Sequence, residues 1–135
     1  DLGDLRSDLL AVLNHAATSM AADPRDVVAE QIAAIIDDAE FSARVSAEQF
    51  SPQLEHAHLV WEQAVARGEV SPDIDGRAVL DDLRAALFWQ IVVQHRTLAA
   101  PEIEELLDRH LDGCALRPPT ADRTTSNGDA VPTTG

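Results

Sequence analysis

The sequence predicts an all-α fold of about five to six helices, and three observations support this prediction. Apolar residues recur at spacings of three and four along most of the chain, whereas no β-hairpin signal or internal repeat stands out. Prolines, glycines and capping residues separate these apolar stretches. With 135 residues, of which 45% are apolar, the chain is long enough to form one domain around its own core.

The first two predicted helices are separated by Asp23 and Pro24. The first helix covers residues 4–22, and its apolar face consists of Leu5, Leu9, Val12, Ala16 and Met20. Asp23 is expected to cap the second helix, because its carboxylate can accept from free amides, and Pro24 suits the first helical position. The second helix should run to about residue 38. The side chains that it is expected to bury are Val28, Ile32, Ile35, Ile36 and Ala39.

Residues 40–52 leave two interpretations open. Either one long helix kinks at Pro52, or a short helix, with a capping box that begins at Ser46, precedes a longer one. The third main helix is predicted over residues 52–67, and Gly68 is its natural C-terminal cap. One face of this helix carries Leu54, His58, Trp61 and Val65.

The fourth main predicted helix contains a strongly apolar stretch. Asp75 is expected to cap a helix over residues 76–95, whose stretch 85–93 has one polar side chain in nine. A helix that is apolar all round must be covered on more than one side, and a second subunit is the economical cover. The last helix begins at Pro101 and ends at Gly113. The composition predicts a domain over residues 1–116 and a disordered tail over residues 117–135.

The charge argues against nucleic-acid binding by this chain alone. It has 24 acidic residues against ten basic ones, no lysine, and a net charge of −14. Phosphate backbones are bound by clustered basic side chains, which are missing here. The only cysteine, Cys114, suits a reducing cytoplasm, although a secreted protein without disulfides would look the same. No membrane-spanning or signal segment is apparent, so we expect a cytoplasmic protein.

Residues 65–70, the turn at 72–75 and the helix over 80–95 resemble the C-terminal domain of TetR-family transcriptional regulators. In that family a helix ending in Arg-Gly-Glu precedes a Pro-Asp turn, and a long helix with an aromatic pair follows, here Phe88 and Trp89. The resemblance covers residues 4–114. Ala85, Ala86 and Gln90 depart from the Gly-Pro and Arg that related sequences often place around the aromatic pair.

The resemblance implies a homodimer in which each subunit encloses a cavity for a small hydrophobic effector, with no cofactor. It implies a transcriptional regulator of the repressor type that reads DNA through an N-terminal helix-turn-helix. That segment is missing from this sequence, which begins at Asp1 rather than Met, and we expect that it precedes the chain.

Helical geometry divides the helix over 76–95 into two faces. The face with Gln90 is assigned to the dimer, because alanine permits close approach and glutamine can bond across the axis. The opposite face, with Phe88, is expected to point into the subunit towards Trp61 and His58. The predicted dimer residues are Ala86, Gln90, Val93, Ile103, Leu107 and His110. The predicted ligand-binding residues are Met20, Ile35, Phe50, Leu54, His58, Trp61, Phe88, Val92 and His95.

Other interpretations of the same residues stay open. The aromatic residues and His58 could be ordinary core, and Glu62 and Asp81 could make an acidic pocket for a cationic effector. A small enzyme or metal protein has little support, since Glu55 and His58 form only one copy of a motif that di-iron bundles use twice. No nucleophile or phosphate-loop motif appears, so we predict that the chain is not an enzyme. An acidic helical adaptor that binds proteins remains the alternative function.

Overall fold

The computed structural model describes residues 2–114 and 116–117, and the side chains of all of these except Gln49 and Phe50. Over these residues all regular secondary structure is helical, and the sequence-based prediction of an all-α fold is confirmed. The six α-helices are α1 (Leu5–Ala22), α2 (Arg25–Asp37), α3 (Ala39–Val45), α4 (Ser51–Ala66), α5 (Gly76–Phe88) and α6 (Ala100–Asp112). Two π-helical turns, Ser46–Phe50 and Trp89–Val93, follow α3 and α5. The predicted tail, apart from Arg117, lies outside the described residues.

Most helix ends lie where capping residues predict them. Asp75 caps α5 by accepting a hydrogen bond from the Ala78 amide at 3.2 Å. Gly68 ends α4 with φ +77°, a conformation that favours glycine, and the amide of the next residue returns to the Ala64 carbonyl at 3.0 Å. The expectation for Asp23 is wrong, because α2 begins after Pro24 without a side-chain cap. No capping side chain therefore accepts a hydrogen bond from the amides at the N-terminal, positive end of α2.

Residues 39–66 form one helical run that is interrupted by the π-helical turn Ser46–Phe50. The start of the run is capped by Asp38, which accepts from the amides of Glu40 and Phe41 at 2.9 and 3.1 Å. The alternative start at Ser46 is wrong, since this residue already has helical φ and ψ. Pro52 has no amide hydrogen, and its ring would press on the carbonyl one turn earlier. The wider turn just before it relieves that conflict.

The core lies between α1, α4, α5 and α6. Leucine side chains from these helices fill it, and Trp61 of α4 is 2% exposed. Trp61 packs on Gly76 so closely that a Cβ there would lie 2.4 Å from its ring. The fully buried large side chains are Leu5, Leu9, Leu83, Leu87 and Leu107.

Helix α2 contributes nothing to this core. None of its 13 residues is buried, and among the described residues its substantial backbone contacts are with α3 alone. The prediction that Ile36 and Ala39 are buried is therefore wrong, and Ile36 is 77% exposed. The other residues of α2 that were predicted to be buried, Val28, Ile32 and Ile35, are half-buried. Their apolar surface faces space rather than packed side chains.

Candidate functional site

Two adjoining voids separate α2 from the ends of α1 and α5. The first has a volume of about 540 Å³ and lies between α2 and the π-helical turn Trp89–Val93 with the residues after it. The second has a volume of about 510 Å³ and lies between α2 and the outer side of α5. We call these two voids together the α2 cavity. The residues that line both voids are Met20, Asp23, Val28, Ile32 and Val92.

The local sequence explains why α2 stands over a cavity. Pro24 and Asp38 have extended backbones, so the chain changes direction at both ends of α2. Between these two points, Val28, Ile32 and Ile35 recur at spacings of four and three and share one face. This face lines the voids. The apolar stripe that would normally pack against a core is thus left open to a volume large enough for a small molecule.

The wall opposite α2 is built by an irregular end of α5. The π-helical turn Trp89–Val93 shifts the register of the side chains, and His95 follows it with φ +56°. A positive φ is strained for a residue other than glycine, and such strain is concentrated at functional sites. Arg96 fixes this segment, since its guanidinium donates to Gln90 Oε1 at 2.7 Å and Glu102 Oε1 at 2.8 Å.

Both acidic and basic side chains line the cavity. Asp23, Arg25, His95 and Arg96 border the first void. Asp23, Asp81 and Arg84 border the second. Burial lowers the pKa of Arg84, and the neighbouring Asp81 offsets this effect only in part.

Five of the predicted ligand-binding residues line the α2 cavity: Met20, Ile35, Phe88, Val92 and His95. Leu54 lies beside it, in a crevice of about 60 Å³ that shares Met20 and Arg84 with the cavity. The side chain of Phe50 lies outside the described residues. A role in ligand binding remains a prediction for all of these residues.

His58 and Trp61 lie elsewhere, so the expectation that Phe88 faces them is wrong. Both line a separate pocket at the start of α5, where Trp61 packs on Gly76. His58 Nε2 lies 3.1 Å from Glu62 Oε1, one turn along α4. Phe88 is twelve residues beyond Gly76 in α5, which corresponds to about 18 Å along the helix axis. Helical periodicity predicted the direction of these side chains but not their position along the neighbouring helix.

Two of the predicted dimer residues belong to the core of the subunit. Ile103 and Leu107 are 3% and 0% exposed within one chain, so they have no surface left for a partner. The assignment is wrong because α6 has only one apolar stripe, and this stripe packs onto α1 and α5. His110 is half-buried, with Nδ1 2.9 Å from the Leu106 carbonyl oxygen.

The other predicted dimer residues lie at the end of α5. Ala86 packs against the core, and the Gln90 side chain accepts from Arg96 within the same chain. Val93 is 43% exposed, and Trp89, one turn earlier, is 56% exposed. Open apolar surface in this region is therefore centred on Trp89 and Val93.

The sequence pattern missed the arginines of the α2 cavity. Arg25, Arg84 and Arg96 come from three separate segments, and no spacing in the sequence connects them.

Cys114 is buried, which raises the pKa of its thiol. The described residues hold no group of three or more His, Cys, Asp or Glu side chains that is arranged for a metal ion. None of the helices in the described part of the chain is long and apolar enough to cross a membrane.

A family model of the tetracyclin repressor-like C-terminal domain matches residues 1–110. The match begins before α1, includes both walls of the α2 cavity, and ends within α6. No curated protein and no solved structure matches the chain.

Proposed function

Since the chain belongs to the tetracyclin repressor-like C-terminal domain family, we propose that it is the effector-binding and dimerisation domain of a TetR-type transcriptional repressor. A small, mainly apolar effector occupies the α2 cavity. DNA binding belongs to an N-terminal helix-turn-helix that this sequence does not contain, and the regulator acts in the cytoplasm. The observation that carries the proposal is an amphipathic helix that buries none of its residues and stands over ligand-sized voids.

The energetics of α2 favour a bound apolar molecule. Full burial of a Val or Ile side chain is worth roughly 1.5–3 kcal/mol relative to exposure. Val28, Ile32 and Ile35 are only half-buried, so much of this free energy is not realised in the empty domain. A ligand between α2 and α5 would cover the three side chains together. Its affinity would then depend on the position of α2, which is the differential binding that a switch requires.

Helix α1 offers a direct connection between the cavity and the N-terminal end of the chain. Met20 near its C-terminal end lines both voids. The 18 residues of α1 span about 27 Å. At its start, the Leu5 amide donates to the buried Glu69 at 2.9 Å, and Arg67 Nε donates to the same carboxylate at 2.5 Å. We propose that a ligand displaces the Met20 end of α1 and that this helix carries the movement towards the DNA-binding segment.

Ligand binding is tested by filling the cavity. Apolar compounds that bind should raise the melting temperature of the chain, by several degrees when the ligand is near 100 times its Kd. Ile32→Trp places an indole in both voids and should abolish this increase. Val27→Trp is the matched control, because Val27 lies on the same helix, is 48% exposed and does not line the cavity. Equal stabilisation of wild type and Ile32→Trp would refute ligand binding in the α2 cavity.

The homodimer is proposed to form through the surface around Trp89 and Val93, not through the α6 residues. Two large apolar side chains on consecutive turns are 56% and 43% exposed, and a second copy across a two-fold axis would cover them. Trp89→Glu would place two like charges near that axis and should give a monomer in sedimentation. Glu48→Lys changes an exposed residue on another segment and should remain dimeric. An unchanged dimer mass for Trp89→Glu would place the interface elsewhere.

The protein-interaction adaptor remains a second candidate because of one surface groove. It lies between α1 and α4, has a volume of about 650 Å³, and includes Leu59, which is 55% exposed. A partner protein in this groove would protect Leu59. If no small molecule raises the melting temperature of the chain, or if those that do also stabilise Ile32→Trp equally, the adaptor becomes the better explanation.

A further inference from the structure

We infer that the effector is an amphipathic anion, with an apolar body in the α2 cavity and a carboxylate or similar acidic head paired with Arg84. This inference rests on the proposed function and specifies its ligand class.

The charge balance at the α2 cavity differs from that of the whole chain. The chain has 24 acidic residues against ten basic ones, all of them arginines. The residues that line the two voids include three of these arginines but only two acidic residues. Even when Glu102 is added, because it pairs with Arg96, the two signs are equal. An anion in the cavity therefore meets a more balanced set of charges than the composition of this strongly acidic chain would suggest.

Arg84 is the cation best placed to meet a bound anion. It lines the second void and also the narrow crevice formed with Leu80, Leu83 and Leu87 of the same helix. It is half-buried, whereas its acidic neighbour Asp81 is exposed. Burial lowers the pKa of Arg84, because the guanidinium is partly removed from water. A carboxylate in the void would lie beside this half-buried cation, and a planar guanidinium suits a two-oxygen partner.

The first void supports the same sign of ligand charge. Arg25 stands at the start of α2, where the helix has no side-chain cap and its dipole is positive. Arg96 is held at the opposite wall by Gln90 and Glu102. Both arginines are exposed, so they contribute to the local potential and to the approach of an anion rather than to a desolvated contact.

The acidic residues do not form a competing site for a cation. Glu62, one of the two candidates from the sequence, lies with His58 in the separate pocket at the start of α5. Asp81 does line the second void, but it is exposed and lies one turn from Arg84. The sequence-based alternative of an acidic pocket therefore loses half of its proposed residues.

Three probes with the same 12-carbon chain test the inference: dodecanoate, dodecanol and dodecyltrimethylammonium, each at micromolar concentrations below micelle formation. Calorimetric titration into the wild-type chain should give dodecanoate an affinity at least about tenfold above the other two, equivalent to ~1.4 kcal/mol. Arg84→Gln should lower the affinity for dodecanoate about tenfold and leave that for dodecanol unchanged. Arg84→Lys keeps the charge, should retain part of the preference, and is used if Arg84→Gln does not fold.

Arg77→Gln is the matched control, since Arg77 is exposed on the same helix and does not line the α2 cavity. It should bind all three probes as the wild type does. The inference is overturned if dodecanol or the cation binds as tightly as dodecanoate, if Arg77→Gln and Arg84→Gln behave alike, or if none of the probes binds. The proposed function survives such a result when other apolar compounds still stabilise the wild type and not Ile32→Trp, and it fails when they do not.

Discussion

Helices α2 and α6 have the same length and each carries an apolar face, but they occupy very different environments. Each contains 13 residues. In α6 the apolar stripe is buried against α1 and α5, whereas in α2 none of the residues is buried. An amphipathic pattern thus indicates a helix with one face to cover, but it does not say what covers that face. In α6 the cover is the core of the subunit, and we propose that in α2 it is a ligand.

The largest expected effect is a difference in the free energy of unfolding between two truncations, one of a leucine in α6 and one of an isoleucine in α2. Leu107 is completely buried, and Leu107→Ala should lower the free energy of unfolding by about 2–5 kcal/mol. Ile32→Ala removes apolar atoms that already face a void, so its cost should be below about 1 kcal/mol. Urea denaturation of both variants measures the difference. A loss for Ile32→Ala as large as that for Leu107→Ala would show that α2 packs tightly in solution.

Much of the fold could be predicted from local signals. Asp75 caps the start of α5 and Gly68 follows the end of α4, as their chemistry predicts, and the last helix was predicted within one residue of its observed bounds. The errors concerned what lies opposite each face. Ile103 and Leu107 were assigned to a partner subunit, although their own subunit covers them. Phe88 was paired with Trp61 because a helical wheel gives an angle around the axis and no position along it.

The candidate site could be predicted only in part for a related reason. Met20, Val92 and His95 were assigned to a cavity from the family resemblance, and they do line one. Arg84 was not considered, because its place in a cavity wall depends on α2 standing away from α5 and leaving a void beside it. The π-helical turn Trp89–Val93 was also missed, since its residues are good α-helix or strand formers and none of them signals the wider turn.

Hydrogen exchange should show that α2 is less stable than α6. Local openings require less free energy where few apolar contacts are lost, so amides in the middle of α2 should exchange at least about tenfold faster than those of α6, a difference of ~1.4 kcal/mol. Mass spectrometry of peptides covering 25–37 and 100–112 measures this. Addition of a compound that raises the melting temperature should slow exchange in α2 and leave α6 nearly unchanged. Equal protection of the two helices without ligand would remove the basis for treating α2 as a ligand-dependent element.

The smallest effect concerns the ion pair that ties α6 to α1. Arg6 Nε and Nη2 donate to the two carboxylate oxygens of Asp108 at 2.8 and 3.0 Å, and these bonds hold the pKa of Asp108 below its usual value near 3.8. Because the folded pKa is lowered, the stabilisation is present above the unfolded pKa and is lost as the pH falls through the folded pKa. Both side chains are more than 40% exposed, so Arg6→Gln should cost at most about 1 kcal/mol at pH 7.

Urea denaturation from pH 7 to pH 2 should show that the free energies of unfolding of the wild type and Arg6→Gln converge below about pH 4. Arg109→Gln, an exposed change on the same helix, should give no such convergence. A difference for Arg6→Gln that persists unchanged at pH 2 would mean that Arg6 stabilises α6 through the packing of its aliphatic stem and not through Asp108.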